Sequence, residues 1–155
     1  MIKYIVIAII VIVSFEIITF ISKTNKDNSK SKKIMSNTEK QIAKLFDDKS
    51  IRYKCQYTFN GCKDKKRLPF DFAVFDEKRN LLFLVEYDGE HHFHPVRYKT
   101  FQNADKNYSI CKKHDEIKNN FCKRNNIDLV RIPYYERKDL YKILYKKLRQ
   151  YNLLK

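Results

Sequence analysis

Hydrophobic and polar positions divide the chain into an apolar amino-terminal segment, a short polar stretch and a longer region of mixed pattern. Residues 4–21 are almost entirely apolar. Roughly this length suffices to cross a bilayer, and its apolar side chains outweigh the single acid Glu16. A cleaved signal peptide and a buried helix are alternatives, but no small-residue cleavage site follows and every face is apolar. The pattern predicts a transmembrane anchor over residues 1–22, with membrane contact through residues 4–21.

The polar stretch, residues 23–35, is rich in Lys, Ser and Asn and has no apolar periodicity. It therefore predicts a basic, flexible linker. Its lysines outnumber the positive charges on the other side of the apolar segment, so the positive-inside rule places the remainder of the chain in the cytosol. We expect a single-pass membrane protein whose folded domain, residues 36–155, lies on the cytosolic side.

The first half of this domain has the pattern of one helix and three strands. Ser36 followed by Glu39 has the spacing of a capping box at the start of a helix. Residues 51–59 alternate as a half-buried strand does. Residues 70–75 and 81–87 are short apolar runs separated by turn residues, which predicts a hairpin.

The second half predicts a helix over residues 105–125, a strand over residues 127–132 and an amphipathic helix over residues 138–150. The element order is therefore α-β-β-β-α-β-α. Because a hairpin sheet receives its last strand through a helical crossover, we expect an α/β fold with a mixed sheet, preceded by the single transmembrane helix.

The predicted hairpin carries acids where buried strands rarely have them. Glu86 and Asp88 are two residues apart and point to the same face, and Asp71 stands near the start of the partner strand. Converging carboxylates raise one another's pKa, and burying them is costly without compensation. A hard divalent cation such as Mg²⁺ prefers oxygen ligands. We therefore expect Asp71, Glu86 and Asp88 to form a metal site.

Two further groups add candidate chemistry. His91 and His92 follow the acids and are suited to general acid or base catalysis, although histidines in loops often have surface or capping roles. On the later helix, Asp115 and Lys118 share a face. They form either an exposed ion pair or a site where the lysine stabilises charge on a phosphate.

Composition and charge favour some classes of function over others. The chain has a net charge of +15, from 33 Lys and Arg against 18 Asp and Glu, which favours a polyanion such as nucleic acid or an anionic membrane. A genome-wide composition bias is the alternative explanation. The chain has only Gly61 and Gly89, so it lacks a glycine-rich phosphate loop. Its four cysteines lack zinc-ribbon spacing. Metal-dependent hydrolysis of phosphodiesters fits both the charge and the acids.

Three motifs together resemble one known family: LPFDF, VEYDGEHHF and HDEIKNNFCKRNNIDLVRIPYYE. The chain is similar in these motifs to the very-short-patch-repair-like branch of the PD-(D/E)XK nuclease superfamily. The resemblance covers nearly all of residues 36–150 but not the apolar segment. It implies a restriction-endonuclease-like core, Mg²⁺ or Mn²⁺ as the cofactor and DNA as the substrate.

The resemblance also implies roles for individual residues. Asp71 matches the first motif acid, a metal ligand. Glu86 and Asp88 match the second motif, in which Asp88 replaces the lysine of the wider superfamily. His92 matches the reactive histidine of the branch's D-G-x-Q-H pattern, whereas His91 stands at the glutamine position.

Two helices contribute further matches. Glu39 corresponds to an acid at the start of the first helix, and Asp115, Lys118 and Cys122 match a D-x-x-K-x-x-x-C pattern in which we expect Cys122 to be core packing. The sequence therefore predicts a membrane-tethered, metal-dependent endonuclease. The alternative is a catalytically inactive membrane protein that binds nucleic acid or anionic lipid.

Overall fold

The computed structural model describes residues 35–96 and 103–154. Within them, no helix combines the length and the apolar character needed to cross a membrane. The longest, Ala104–Arg124, has 21 residues but carries acids and lysines along its length. This finding contradicts the transmembrane helix in the predicted fold class and the predicted single-pass membrane localisation, and we retain neither. Residues 4–21, on which both predictions rested, lie outside the described part of the chain.

The described residues form three helices and four strands in the predicted order α-β-β-β-α-β-α. Two short 3-10 segments, Glu90–His92 and Tyr134–Asp139, follow the third and fourth strands. The regular elements are α1 (Asn37–Asp48), β1 (Arg52–Tyr57), β2 (Phe70–Phe75), β3 (Leu81–Asp88), α2 (Ala104–Arg124), β4 (Asp128–Pro133) and α3 (Leu140–Gln150).

The four strands form one mixed sheet, as the sequence predicted, in the order β1-β2-β3-β4. The pairs β1–β2 and β2–β3 are antiparallel, whereas β3 and β4 are parallel. Parallel neighbours need a crossover connection, and α2 provides it. Val85 of β3 pairs with Phe72 on one side and Val130 on the other, which fixes the register at the centre of the sheet.

Helix α1 begins at the predicted capping box. The Ser36 hydroxyl accepts a hydrogen bond from the Glu39 backbone N–H at 3.1 Å, and the Glu39 carboxylate accepts one from the Ser36 N–H at 2.9 Å. These bonds satisfy two backbone donors that a helix start otherwise leaves unpaired. The helix then buries Ile42 and Phe46 completely.

The two faces of the sheet are covered by different helices. On one face, Phe72, Phe83 and Val85 pack in a core with apolar residues of α1 and α3. On the other face, Leu84 packs with Phe121 and Cys122 of α2, so the prediction that Cys122 belongs to the core is confirmed. Because strand side chains alternate, the residues that follow Leu84 at intervals of two also face α2. The acids of β3 therefore lie between the sheet and α2.

Candidate active site

The three predicted acids of the hairpin are all buried. Asp71, Glu86 and Asp88 have only 4, 3 and 4% of their surface exposed. Phe72 pairs with Val85, and continuing this register by one residue places Asp71 beside Glu86. Within residues 35–96 and 103–154, every buried side-chain nitrogen or oxygen has a hydrogen-bond partner. The cost of burying these carboxylates is therefore offset by specific contacts.

Asp71 is oriented by groups on both neighbouring strands. One carboxylate oxygen accepts a hydrogen bond from Gln56 Nε2 at 3.1 Å, and the other accepts one from the Tyr87 backbone N–H at 3.0 Å. Gln56 has a φ of 50°, a left-handed conformation that is uncommon for a residue other than glycine. Such conformations persist where the surrounding structure holds them, often at functional sites. Here the unusual backbone lies at the residue that contacts Asp71.

Glu86 pairs with Lys118 of α2. The Lys118 ammonium donates to Glu86 Oε1 at 2.6 Å, and both side chains are largely buried. Burial raises the pKa of Glu86 to about 7, the charge of Asp71 adds to this effect, and the attraction of Lys118 offsets it only in part. Asp115 and Lys118 therefore do not form the exposed pair considered from their spacing, since Lys118 reaches across to the sheet.

Asp88 and Asp115 are joined by Arg131 of β4. The guanidinium donates to both Asp88 oxygens, from Nε at 2.7 Å and Nη2 at 2.5 Å, and Nη2 also donates to Asp115 at 2.7 Å. Nη1 donates to the Asn119 side chain at 3.1 Å. Bidentate pairing of this kind fixes carboxylate orientation as well as charge. Arg131 thus sets the spacing between an acid of the sheet and an acid of α2.

His92 completes this network. Its Nδ1 lies 2.9 Å from Asp115 Oδ2, 3.2 Å from Cys111 Sγ and 3.7 Å from Asp88 Oδ1. Burial alone would lower the pKa of His92, but its contacts with Asp115 and Cys111 outweigh burial and raise the pKa to about 10. Burial would raise the pKa of Asp115, yet bonds from His92 and Arg131 hold it below the usual value. His92 is therefore an imidazolium at neutral pH.

The 3-10 turn Glu90–His92 brings both histidines back over the end of β3. A Cβ added to Gly89 would lie 3.0 Å from His91 Nδ1, so a larger residue there would push the His91 ring outward by a few tenths of an ångström. The rings of His91 and His92 then pack with centroids 4.4 Å apart. The absence of a side chain at Gly89 therefore leaves room for the ring of His91.

Two groups in the described part of the chain have ligand atoms within 4.8 Å of one another: Asp88 with His92 and Asp115, and His91 with His92 and Cys111. The first contains one member of the predicted metal set, Asp88. Its two carboxylates are oxygen donors of the kind that Mg²⁺ or Mn²⁺ prefers, whereas the protonated ring of His92 is not a metal ligand. The other two predicted ligands, Asp71 and Glu86, lie beside each other on the same face of the sheet.

Glu39 lies at the start of α1, where its carboxylate forms the capping box with Ser36. It is 5% exposed. Its charge also acts on β1, because the pKa of the Cys55 thiol, although Cys55 is exposed, is raised first by partial desolvation and then by Asp47, Glu39 and Asp71. The role that the resemblance implies for Glu39 in the site stays a prediction.

Sequence reasoning missed two residues of this network, Arg131 and Cys111. Arg131 interrupts the apolar run of β4, so its position in a predicted strand was a signal as strong as that of the acids. Cys111 lies one helical turn before Asp115, on the face that also carries Lys118 and Cys122. Extending the helical pattern backward by four residues would have found it.

Comparison with protein-family models, with curated proteins and with solved structures found no match for this chain.

The pKa of Glu86 predicts a pH dependence of stability. The value is about 7 in the folded protein against an ordinary 4.5, so between these values the folded state keeps a proton that the unfolded state has lost. The contribution of Glu86 to stability should therefore fall as pH rises from 4.5 to 7 and stay constant above 7. Between pH 4.5 and pH 7, the free energy of unfolding of the wild type should fall by about 3 kcal/mol more than that of Glu86→Gln. Urea unfolding at each pH measures both values.

The matched control is Glu136→Gln, which changes an exposed acid. Its stability should follow the wild-type pH profile. If the Glu86→Gln profile also ran parallel to that of the wild type from about pH 5 to about pH 8, the raised pKa of Glu86 would be wrong.

Proposed function

We propose that this protein is a metal-dependent endonuclease that hydrolyses phosphodiester bonds, with DNA as its substrate. The observation that carries the proposal is the group formed by Asp88, His92 and Asp115. In one place it combines oxygen ligands for a cation with a charged imidazole for proton transfer. On the same face of the sheet, Lys118 of α2 contacts Glu86.

The proposed cofactor is Mg²⁺ or Mn²⁺, held by Asp88 together with carboxylates of its neighbours, among which Asp71 and Glu86 are the candidates from the sequence. A bound divalent ion would offset the repulsion among these acids and polarise a phosphoryl oxygen of the substrate. Asp88 is prepared for this role because Arg131 already fixes the orientation of both its oxygens.

His92 is suited to donate a proton to the leaving oxygen. With a pKa of about 10, it is protonated at neutral pH. Asp115 holds the ring by a 2.9 Å bond and stabilises its charge. A general base would need the neutral form, so the environment favours the acid role.

Lys118 is suited to contact a phosphate. Its present partner Glu86 has a pKa of about 7 and is partly protonated near neutral pH. Protonation of Glu86, or a cation bound to it, would leave the charge of Lys118 available to an anionic substrate. The net charge of +15 favours the approach of DNA to this site.

The test is cleavage of supercoiled plasmid DNA by the full chain, with Mg²⁺ and with a chelator. We expect nicked or linear product only when the cation is present. Asp71→Asn should slow cleavage by roughly 100-fold, because it removes a charge from the acid cluster while the amide oxygen can still accept the bond from the Tyr87 N–H. Product should be measured by gel densitometry over time.

The matched control is Asp139→Asn, an exposed acid whose side chain makes no capping bond to α3. It should cleave at the wild-type rate. Cleavage that persists in the chelator, or equal rates for wild type and Asp71→Asn prepared in parallel, would contradict the proposal.

One observation favours a second candidate, a nucleic-acid-binding domain without activity. Three acids of the site are already paired with cations, Glu86 with Lys118 and both Asp88 and Asp115 with Arg131, so these three do not require a metal ion for charge balance. This alternative predicts salt-sensitive DNA binding that is the same with and without Mg²⁺, and the same in Asp71→Asn.

A further inference from the structure

The histidine turn and α2 together form a second group of metal ligands, of which the proposed reaction uses only His92. We propose that His91, His92 and Cys111 bind Zn²⁺, and that the bound ion switches the nuclease off by sequestering His92. Ligand atoms of the three side chains lie within 4.8 Å of one another. The binding part of this proposal is independent of the proposed function, whereas the inhibition rests on it.

The three side chains come from two elements that are held together. Cys111 Sγ lies 3.2 Å from His92 Nδ1, so α2 and the turn are already in contact at the ligand atoms. The rings of His91 and His92 lie 4.4 Å apart, and the backbone hydrogen bond from the His92 N–H to the Gly89 carbonyl, at 3.0 Å, holds the turn that presents them. Little rearrangement is needed to bring one sulfur and two nitrogens around an ion.

The donor chemistry distinguishes this group from the acid cluster. Zn²⁺ is bound by thiolate sulfur and imidazole nitrogen, and sites with three protein ligands leave a fourth position for water. Mg²⁺ prefers oxygen and competes poorly for sulfur. His91 is exposed and Cys111 is half-buried, so an ion can enter from solvent.

The inhibition follows from a shared residue. His92 belongs both to this group and to the one formed with Asp88 and Asp115. An ion bound to His92 displaces the proton that the ring shares with Asp115, because only the neutral ring is a ligand. The proposed acid is then lost, although the carboxylates remain in place.

Binding is tested with the full chain, prepared without a polyhistidine tag, by competing Zn²⁺ between the protein and a chromogenic chelator. Wild type should bind one Zn²⁺ per chain, and Cys111→Ser and His91→Asn should each weaken binding at least about tenfold. Cys55→Ser is the matched control, since Cys55 is an exposed thiol on β1. It should bind as the wild type does.

A second measurement identifies the sulfur directly. Co²⁺ in place of Zn²⁺ should give a thiolate-to-metal charge-transfer band that Cys111→Ser loses and Cys55→Ser keeps. Equal Zn²⁺ affinity in wild type, Cys111→Ser and His91→Asn would overturn the site, as would an equal loss in Cys55→Ser. Because His91 is exposed, His91→Asn keeps the test decisive if Cys111→Ser fails to fold.

Inhibition is tested by adding Zn²⁺ to plasmid cleavage in excess Mg²⁺, with each variant compared with its own rate before addition. Zn²⁺ at micromolar concentration should stop plasmid cleavage by the wild type and leave the cleavage rate of His91→Asn unchanged. Equal inhibition of both would overturn the switch while the binding result stands. If no variant cleaves DNA at all, the proposed function fails, and the competition experiment still decides whether the zinc site exists.

Discussion

Replacing Arg131 with methionine should lower the free energy of unfolding by about 3 to 5 kcal/mol. The guanidinium donates to both oxygens of Asp88 and to Asp115, and Asp88 is 4% exposed. Methionine matches the length of the arginine stem but offers no donor. The substitution leaves two carboxylates facing each other with only His92 as a cation, and an uncompensated buried charge is among the costliest defects that one mutation can create.

The measurement is urea unfolding of the full chain, followed by circular dichroism at neutral pH. Arg137→Met is the matched control, because Arg137 is exposed in the segment Tyr134–Asp139. It should change stability by less than about 0.5 kcal/mol. The double variant Arg131→Met/Asp88→Asn should recover part of the lost stability, since it removes one of the two carboxylate charges that Arg131 no longer neutralises. A loss below about 1 kcal/mol in Arg131→Met would mean that water or another cation already balances these acids.

The elements of this fold could be predicted because each has a local signal. The capping box of Ser36 and Glu39 marked the start of α1, and the structure forms both of its hydrogen bonds. The alternation of β3 predicted that Glu86 and Asp88 share a face, and both are buried on the side of α2. Periodicity and caps depend on neighbours within about four residues, so one sequence is enough to identify them.

The partners of the acids could not be predicted, because they depend on how α2 is placed over the sheet. Asp115 and Lys118 share a helical face, and their spacing is compatible with an exposed ion pair. In the structure Lys118 contacts Glu86 and Asp115 contacts Arg131, over sequence separations of 32 and 16 residues. Helical spacing determines which side chains point the same way, but not which strand residue each one meets.

The apolar segment shows a different limit of sequence reasoning. Its hydropathy predicted a transmembrane helix from composition and length alone, and the fold class and the localisation both depended on it. Helices among the described residues gave no support for a membrane span, because the longest of them is amphipathic. The acid cluster of residues 71–88 needs no membrane for its explanation, since its side chains are paired within the sheet and α2.

The second large effect concerns His92. We expect His92→Gln to slow plasmid cleavage by roughly 10²- to 10⁴-fold, the usual contribution of a general acid. DNA binding, measured by filter retention in parallel, should change little, since glutamine keeps a polar group of similar reach. His94→Gln is the matched control, because His94 is an exposed histidine paired with Glu90. Its cleavage rate should equal that of the wild type.

The pH profile of kcat/KM separates the acid role of His92 from a structural one. A general acid works in its protonated form, so the rate should hold until pH passes the pKa of about 10 rather than the ordinary 6.5. Asp115→Asn removes the 2.9 Å ionic contact and should move this alkaline limit toward lower pH. A wild-type rate that already falls near pH 6.5 would show that the reactive His92 has the ordinary pKa of a free imidazole. Its contact with Asp115 would then contribute to stability alone.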